Sequence, residues 1–269
     1  MLLSSITIGA WQLAGASSLC CNKEGLLFFV RESMDASHER TLLAGVDIFA
    51  DLDERAVEDV LRAAHRRKVA KGETAFRQDE AAGAFYVLTA GRLKVTQVTA
   101  EGQQVVVRFI GPGEMFGCVA VFGGRCYPGT ATAVEDCRMI GFTKGVMQHL
   151  MERHPRLAIN TMGTIGGRLQ DTQARLRELS TERVERRIAH ALIRLAEQAG
   201  RPVASGIGFD FAISRQDVAE MSGTTLHTVS RTLSAWEAQG IVEGGRQKIT
   251  IRKPDALLAI AEDQPSPAR

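Results

Sequence analysis

The sequence predicts an α+β fold in which a strand-rich segment, one long helix and a small helical unit follow one another along the chain. Three observations support this fold class. Between about residues 46 and 142, short β-branched or aromatic stretches alternate with glycine-containing turns. From about residue 155 to 180, apolar residues recur at alternating spacings of three and four. Beyond residue 213, two short helical patterns flank a glycine turn, and a two-stranded pattern follows.

The strand-rich segment is predicted to form a β-roll of jelly-roll-like architecture, because its short strands follow one another without a long helix between them. A helix from Asp53 to Arg66 carries apolar residues at helical spacing and should pack on this roll. The predicted strands are Thr74–Phe76, Phe85–Leu88, Leu93–Val98, Gln104–Ile110 and Cys137–Phe142.

The long helix is predicted to run from Pro155 to Ser180 and to carry a narrow apolar stripe. The stripe follows the 3.5-residue period of a two-stranded coiled coil, which favours a homodimer over a helix packed only on its own domain. A polar Thr172 in the stripe would help to fix the register of the two helices. We call this stripe the seam; its members are Met162, Ile165, Leu169, Thr172, Leu176 and Leu179.

The C-terminal unit has the pattern of a winged helix-turn-helix. A helix from Val184 ends at Gly200, a loop spans residues 200–208, and a short strand covers residues 209–213. Ser214 should cap the next helix, with Asp217 three residues on. After a turn at residues 222–224, Thr225 should cap a second helix that extends to Gln239. Strands at residues 241–243 and 248–251 form the wing.

In a helix-turn-helix, the second helix presents the exposed side chains of its N-terminal end to the DNA major groove. Arginine is the natural reader of guanine through two parallel hydrogen bonds, whereas contacts to phosphate position the protein without specifying sequence. The predicted base-reading residues are Thr225, Leu226, His227, Ser230 and Arg231. The predicted phosphate contacts are Ser214, Arg215, Gln216 and Arg246.

Three stretches resemble the Crp/Fnr family of transcription regulators: residues 71–95, residues 111–117 and, most closely, residues 213–231. The similarity extends from about residue 45 to 262. It implies a cyclic-nucleotide-binding-like sensor domain, a dimerisation helix and a DNA-binding domain. It also implies double-stranded DNA, a second copy of the chain and RNA polymerase as partners. Arg231 matches the family's base-reading arginine, whereas His227 stands where the family often has glutamate.

The resemblance also places an effector pocket, but the chain departs from the cyclic-AMP-binding pattern there. Cys118 occupies the position of the glutamate that receives the ribose hydroxyl, and residues 127–130 replace the Arg-Ser pair that holds the cyclic phosphate. Arg125 lies a few residues early. Cyclic AMP is therefore not the expected effector. The candidate pocket residues are Gly117, Cys118, Arg125, Gly129, Thr130 and Thr172.

The cofactor stays open at this point. Cys118, Cys126 and Cys137 lie in or beside the pocket, where haem ligation, a thiol-based redox signal and burial as a small apolar side chain are alternatives. An iron–sulfur cluster is not expected, because Cys20 and Cys21 are adjacent and their side chains would point apart.

Composition sets the remaining limits. The net charge of only +2 requires any DNA-binding charge to be local. The sequence contains no P-loop, no Gly-x-Ser-x-Gly motif and no pair of histidines at metal-ligand spacing, so an enzyme is not expected. The uncharged start of the chain lacks the pattern of an export signal or membrane span, which predicts a cytoplasmic protein without a membrane partner. A regulatory or interaction module without sequence-specific DNA binding is the alternative function.

The predicted organisation divides the chain into five parts. Residues 1–40 form a poorly ordered extension, with Met34 an alternative start, and residues 263–269 form a tail. Between them lie the sensor domain (41–145), the dimerisation helix (146–180) and the winged helix-turn-helix (181–262).

Overall fold

A strand-rich segment, a long helix and a helix-turn-helix unit follow one another as the sequence predicts, which confirms the α+β fold class. The structure, a computed structural model, describes residue 37 and residues 39–120 and 123–263. The predictions for the first 36 residues, including Cys20 and Cys21, lie outside the described part. The described helices are α1 (Glu54–Ala63), α2 (Lys144–Arg153), α3 (Pro155–Thr181), α4 (Val184–Ala199), α5 (Arg215–Ser222), α6 (Leu226–Ala238) and α7 (Pro254–Ala261), besides residues 39–44 and short 3-10 turns.

Two four-stranded antiparallel sheets form the β-roll, with strand orders β1-β8-β3-β6 and β2-β7-β4-β5, and a third sheet of order β11-β12-β10-β9 belongs to the C-terminal unit. The strands are β1 (His65–Val69), β2 (Thr74–Phe76), β3 (Ala84–Ala90), β4 (Leu93–Val98), β5 (Gln104–Ile110), β6 (Met115–Phe116), β7 (Thr130–Ala133), β8 (Cys137–Thr143), β9 (Arg201–Val203), β10 (Gly206–Gly208), β11 (Val242–Gly245) and β12 (Lys248–Ile251).

Strand β3 contains an uninterrupted apolar run within the roll. Phe85 and Val87 face a cluster shared with α1, α2 and the start of α3, whereas Tyr86 and Leu88 face the interior of the roll. Both faces of the strand are therefore covered, and alternation with polar residues is lost. All five strands predicted for the roll are present, three of them with the predicted bounds.

Two predictions about the roll are wrong. The helix predicted from Asp53 to Arg66 ends at Ala63, because residues 65–69 pair with β8 as strand β1. Residues 146–180, the segment assigned to the dimerisation helix, contain part of a second helix besides the long helix predicted from Pro155. Residues 146–153 belong to α2, which packs on the roll through buried Met147 and Leu150. Pro155, which lacks a backbone N–H, starts a new helix.

A third prediction is wrong in the C-terminal unit, where the predicted loop 200–208 is a hairpin of β9 and β10. Its strand β10 pairs with β12 at Ile207 and Ile251. The predicted strand 209–213 is irregular; its side chains Phe209, Phe211 and Ile213 are buried in the core of the unit. Each strand of the hairpin has only three residues, which is too short for an alternating pattern from which a hairpin could be predicted.

Candidate nucleic-acid interface and effector cavity

Helices α5 and α6 form the helix-turn-helix, and their caps are those that the sequence predicts. The Ser214 and Asp217 side chains each bond the other's backbone N–H, which completes a capping box. Gly223 ends α5 in the left-handed conformation, with φ of 62°. The Thr225 hydroxyl accepts from the backbone N–H of Thr228 and starts α6. These caps define where the two helices begin and where α5 ends.

The N-terminal face of α6 is solvent-exposed at four of the five predicted base-reading positions; Ser230 is half-buried. Leu226 keeps 47% of its surface exposed although it is apolar. Arg231 makes no hydrogen bond or ion pair with any residue that the structure describes. On the opposite face, Val229, Leu233 and Trp236 are buried. One face of α6 is thus packed in the core, and the other presents the Arg231 guanidinium, which has no hydrogen-bond or ion-pair partner in the described part of the chain.

The four predicted phosphate-contact residues differ in their availability. The Ser214 hydroxyl is bonded to Asp217 at 2.7 Å. The Arg215 Nη2 donates to Glu237 Oε1 at 2.8 Å, and Gln216 donates to the Glu220 carboxylate at 2.9 Å. Arg246 is exposed in the turn between β11 and β12, and no ion pair engages it within the described part of the chain.

The seam lies exposed along α3. Its apolar members keep between 40% and 65% of their surface exposed, and Ile159, which the sequence analysis left out, is 55% exposed in line with them. The Thr172 hydroxyl donates to the Arg168 carbonyl oxygen one turn earlier at 2.8 Å. A continuous exposed apolar stripe of this length is typical of a surface that another chain covers.

A cavity of about 410 Å³ lies between the roll and α3. Four of the six predicted pocket residues line it: Gly117, Cys118, Gly129 and Thr172. Arg125 is exposed and is not among the lining residues. The hydroxyl of Thr130, also outside the lining, accepts from the backbone N–H of Gln78 at 2.9 Å.

Two arginines in the cavity wall were missed by the sequence analysis. Arg168 on α3 donates to Cys118 Sγ at 3.0 Å and to the Met115 carbonyl oxygen at 2.9 Å. Arg108 on β5 donates to Glu114 Oε1 at 3.0 Å. A signal for Arg108 was available, since it is the one charged residue in the otherwise apolar run from Val105 to Ile110. Arg168 resembles any other polar residue between seam positions.

Cys118 is a buried thiol at the inner end of this arrangement. Burial raises its pKa, and the neighbouring Arg168 and Arg108 guanidiniums oppose that rise only in part. The thiol is therefore neutral at pH 7. Cys137 is buried in β8, as expected for a small apolar side chain, and its Sγ donates to the Arg92 carbonyl oxygen at 3.3 Å. Cys126 is exposed.

The described residues contain no cluster of three or more histidine, cysteine, aspartate or glutamate side chains that could hold a metal ion. Across the same part of the chain, every helix is too short or too polar to cross a membrane.

Two family models match the chain at the places where the two candidate sites lie. Residues 66–154 match the cyclic nucleotide-binding domain, and residues 186–260 match the Crp-like helix-turn-helix domain. Together they cover more than half of the chain.

Two relatives match this chain over most of their own length. The cyclic AMP receptor protein of Thermus thermophilus is 29% identical over 219 residues, which cover 81% of this chain and 98% of that protein. The nitrogen fixation regulation protein FixK of Azorhizobium caulinodans is 28% identical, with 78% of this chain and 84% of that protein covered.

Solved structures share the fold. FixK2 of Bradyrhizobium japonicum superimposes with a TM-score of 0.64 at 23% identity, covering 76% of this chain and 99% of that one. A CRP-family transcriptional regulator of Thermus thermophilus superimposes with a TM-score of 0.61 at 25% identity, covering 74% and 97%.

Proposed function

Because this chain belongs to the Crp/Fnr family of transcription regulators and is not an enzyme, we propose that it binds a two-fold-symmetric DNA operator as a homodimer under effector control. The observation that carries the proposal is the pre-organised helix α6, whose exposed N-terminal face presents Arg231 without an internal partner. A guanidinium that is already paired would have to break that pairing before it could bind guanine.

Dimerisation supplies the symmetry of the operator. The exposed seam on α3 is self-complementary in a parallel pair of helices, because each apolar position faces its own counterpart. Two copies of α6 would then be related by a two-fold axis and would bind half-sites about one helical turn apart.

The role proposed for each residue depends on whether its side chain is already bonded to another residue of the protein. Thr225, Leu226, His227, Ser230 and Arg231 are the proposed base readers, with Leu226 placed for a thymine methyl. Arg246 in the wing is the best available phosphate contact. Ser214, Arg215 and Gln216 would contribute by orienting the N-terminal end of α5, since each side chain is already bonded to an acidic residue of the same domain.

The effector site is the cavity between the roll and α3. Ile165, Leu169 and Thr172 line this cavity and also belong to the seam. A bound effector would therefore touch the surface on which the partner helix packs, which couples occupancy to dimer geometry. We propose that cyclic AMP is not this effector, although the Thermus thermophilus relative is named for it, because Cys118 offers no carboxylate to a ribose hydroxyl.

A location and one further partner follow from the proposed activity. A regulator that binds operators acts in the cytoplasm, where the DNA is, and it would contact RNA polymerase there.

Selection from random double-stranded DNA, followed by gel shift and footprinting, tests the proposal. We expect a two-fold-symmetric consensus that is protected over two half-sites about one helical turn apart. Recovery of no consensus, with equal affinity for all sequences, would instead support the alternative, an interaction module without sequence-specific DNA binding.

A further inference from the structure

The residues that line the cavity between the roll and α3 indicate which class of molecule it binds. Resting on the proposed function, we propose that its effector is a small organic carboxylate with a flat apolar body, whose carboxylate is held by Arg108 and Arg168. The charge of the cavity wall, the composition of its lining and its position against the seam each support this class of effector.

The charge of the wall fits a single negative charge. Arg108 and Arg168 contribute two positive charges, and Glu114, which bonds Arg108, contributes one negative charge. Cys118 is neutral, so the group carries one net positive charge. Arg168 has only neutral acceptors among the described residues, the Cys118 sulfur and the Met115 carbonyl oxygen. A monoanion would neutralise the group.

Unused donors remain on both guanidiniums. The Nε of Arg108 is buried and has no hydrogen-bond partner among the described residues. Arg168 uses two of its five N–H donors, one in its bond to Cys118 Sγ and one in its bond to the Met115 carbonyl oxygen. A buried donor without an acceptor is costly, and a guanidinium fork matches the two oxygens of a carboxylate. The wall thus offers charge and donors together in a partly buried setting.

The rest of the lining favours an apolar body over a nucleotide. Phe76 and Tyr127 stack with ring centroids 3.7 Å apart, and Ile110, Phe116 and Val119 extend the apolar wall. The Thr172 hydroxyl, the lining's polar group on α3 besides Arg168, already donates to a backbone oxygen. Aromatic walls stack well on a flat ring, whereas ribose hydroxyls would lose their hydrogen bonds to water here.

The cavity volume of about 410 Å³ lies within the range of small-molecule sites. Since Ile165 and Leu169 close one side and belong to the seam, a carboxylate in this cavity would reach both the arginines and the dimer surface. We therefore expect the carboxylate to bind the dimer more tightly than the monomer.

Calorimetry on the full chain tests the proposal with three carboxylates: benzoate, 2-naphthoate and octanoate. Each is compared with its neutral amide, and cyclic AMP is included as the nucleotide. We expect at least one carboxylate to bind at least about tenfold more tightly than its amide and than cyclic AMP, because the amide cannot accept two charge-assisted bonds. The two aromatic acids should exceed octanoate.

Three arginine variants locate the site. Arg168→Gln and Arg108→Gln should each remove the preference for carboxylate over amide. Arg125→Gln changes the same residue type in the neighbouring loop but outside the cavity, and should leave that preference unchanged. Circular dichroism establishes that each variant is folded. Having two independent cavity variants keeps the test decisive if one of them fails to fold.

The proposal is overturned if every amide binds as tightly as its acid, if cyclic AMP binds more tightly than all three acids, or if Arg125→Gln has the effect expected of Arg168→Gln. Its failure is distinct from failure of the proposed function. A selected symmetric operator without carboxylate preference would remove only the effector class, whereas carboxylate binding without a selected operator would remove only the DNA-binding function.

Discussion

At the scale of single residues, the arginines predicted to contact DNA differ in whether they already have a partner within the protein. Arg215 and Arg231 both lie on helices of the helix-turn-helix, but Arg215 is bonded to Glu237 at 2.8 Å while Arg231 is exposed and uncommitted. Arg246 is likewise exposed and has no ion-pair partner in the described part of the chain, but it lies on the wing. We therefore propose that Arg231 contacts base edges and that Arg246 contacts phosphates.

The first prediction compares Arg231→Ala with Arg246→Ala. Arg231→Ala should cost about 1–3 kcal/mol per half-site and relax the preference at one base pair, because a bidentate contact to guanine is lost. Arg246→Ala should weaken binding to operator and random DNA about equally, with the log–log salt slope smaller by about one. Gel-shift titrations at several salt concentrations measure both effects. Equal weakening of operator and random DNA by Arg231→Ala would show that Arg231 contacts only phosphate.

The second prediction concerns His227, which is exposed on the N-terminal end of α6. His227→Glu should shift the selected consensus toward cytosine at one base pair, because a carboxylate is a full acceptor for the cytosine N4 amino group whereas neutral histidine accepts at only one ring nitrogen. Repeating the DNA selection with this variant measures the shift, and His227→Ala is the control. An unchanged consensus for both variants would mean that residue 227 does not read a base.

What could be predicted at this scale depends on how local the interaction is. The Ser214–Asp217 capping box and the Thr225 cap involve residues three apart, so the sequence contains them fully. The approach of Arg168 to Cys118 joins residues that are fifty apart on different elements. It depends on how α3 lies against the roll, which no local pattern determines.

At the scale of elements, the sequence predicts the long helix almost to its ends but does not predict strands that depend on distant partners. Helix α3 starts at Pro155 and ends one residue beyond the predicted end, because proline at its start and a sustained period define it locally. Strand β1 is extended because β8 pairs with it, although its own sequence is polar and largely exposed. Strands of this kind owe their conformation to partners distant in sequence.

The third prediction tests the seam. Changing both Leu169 and Leu176 to Asp should give monomers and abolish operator binding, because each buried leucine contributes about 1.5–3 kcal/mol and each aspartate adds like charge across the two-fold axis. Light scattering and gel shifts measure the two outcomes. Gln170→Asp, exposed on the same helix but outside the seam, should leave the dimer intact. A double variant that is still dimeric would place the interface elsewhere.

At the scale of the whole molecule, the roll and the winged helix-turn-helix share one apolar cluster. Val106 and Phe109 of β5 belong to the same cluster as Ile213 and Val218 of the C-terminal unit. The rings of Phe109 and Phe211 have centroids 5.1 Å apart. Contacts of this kind hold the sensor domain on the DNA-binding domain by burial rather than by the chain connection alone.

A polar contact links the same two parts at the helix that precedes α6. Lys94 Nζ lies 3.0 Å from a carboxylate oxygen of Asp217, the residue that completes the capping box of α5. Nearby, the Gln104 side chain donates to Glu220 at 3.1 Å. Strands β4 and β5 thus touch the helix that orients the base-reading helix. This interface joins residues more than one hundred apart, so no periodicity in the sequence could have indicated it.

The fourth prediction follows from the shared cluster. Phe109→Ala and Phe85→Ala each empty a site that is 1% exposed or less, and each should lower the free energy of unfolding by about 3–5 kcal/mol. Phe85 packs only within the sensor domain and against its helices, whereas Phe109 packs on the C-terminal unit. Scanning calorimetry should therefore show one transition for the parent and for Phe85→Ala, but two for Phe109→Ala. Two separate transitions in the parent protein would mean that the shared cluster does not couple the domains. In that case a signal from the effector cavity would have to reach α6 through α3 and the seam alone.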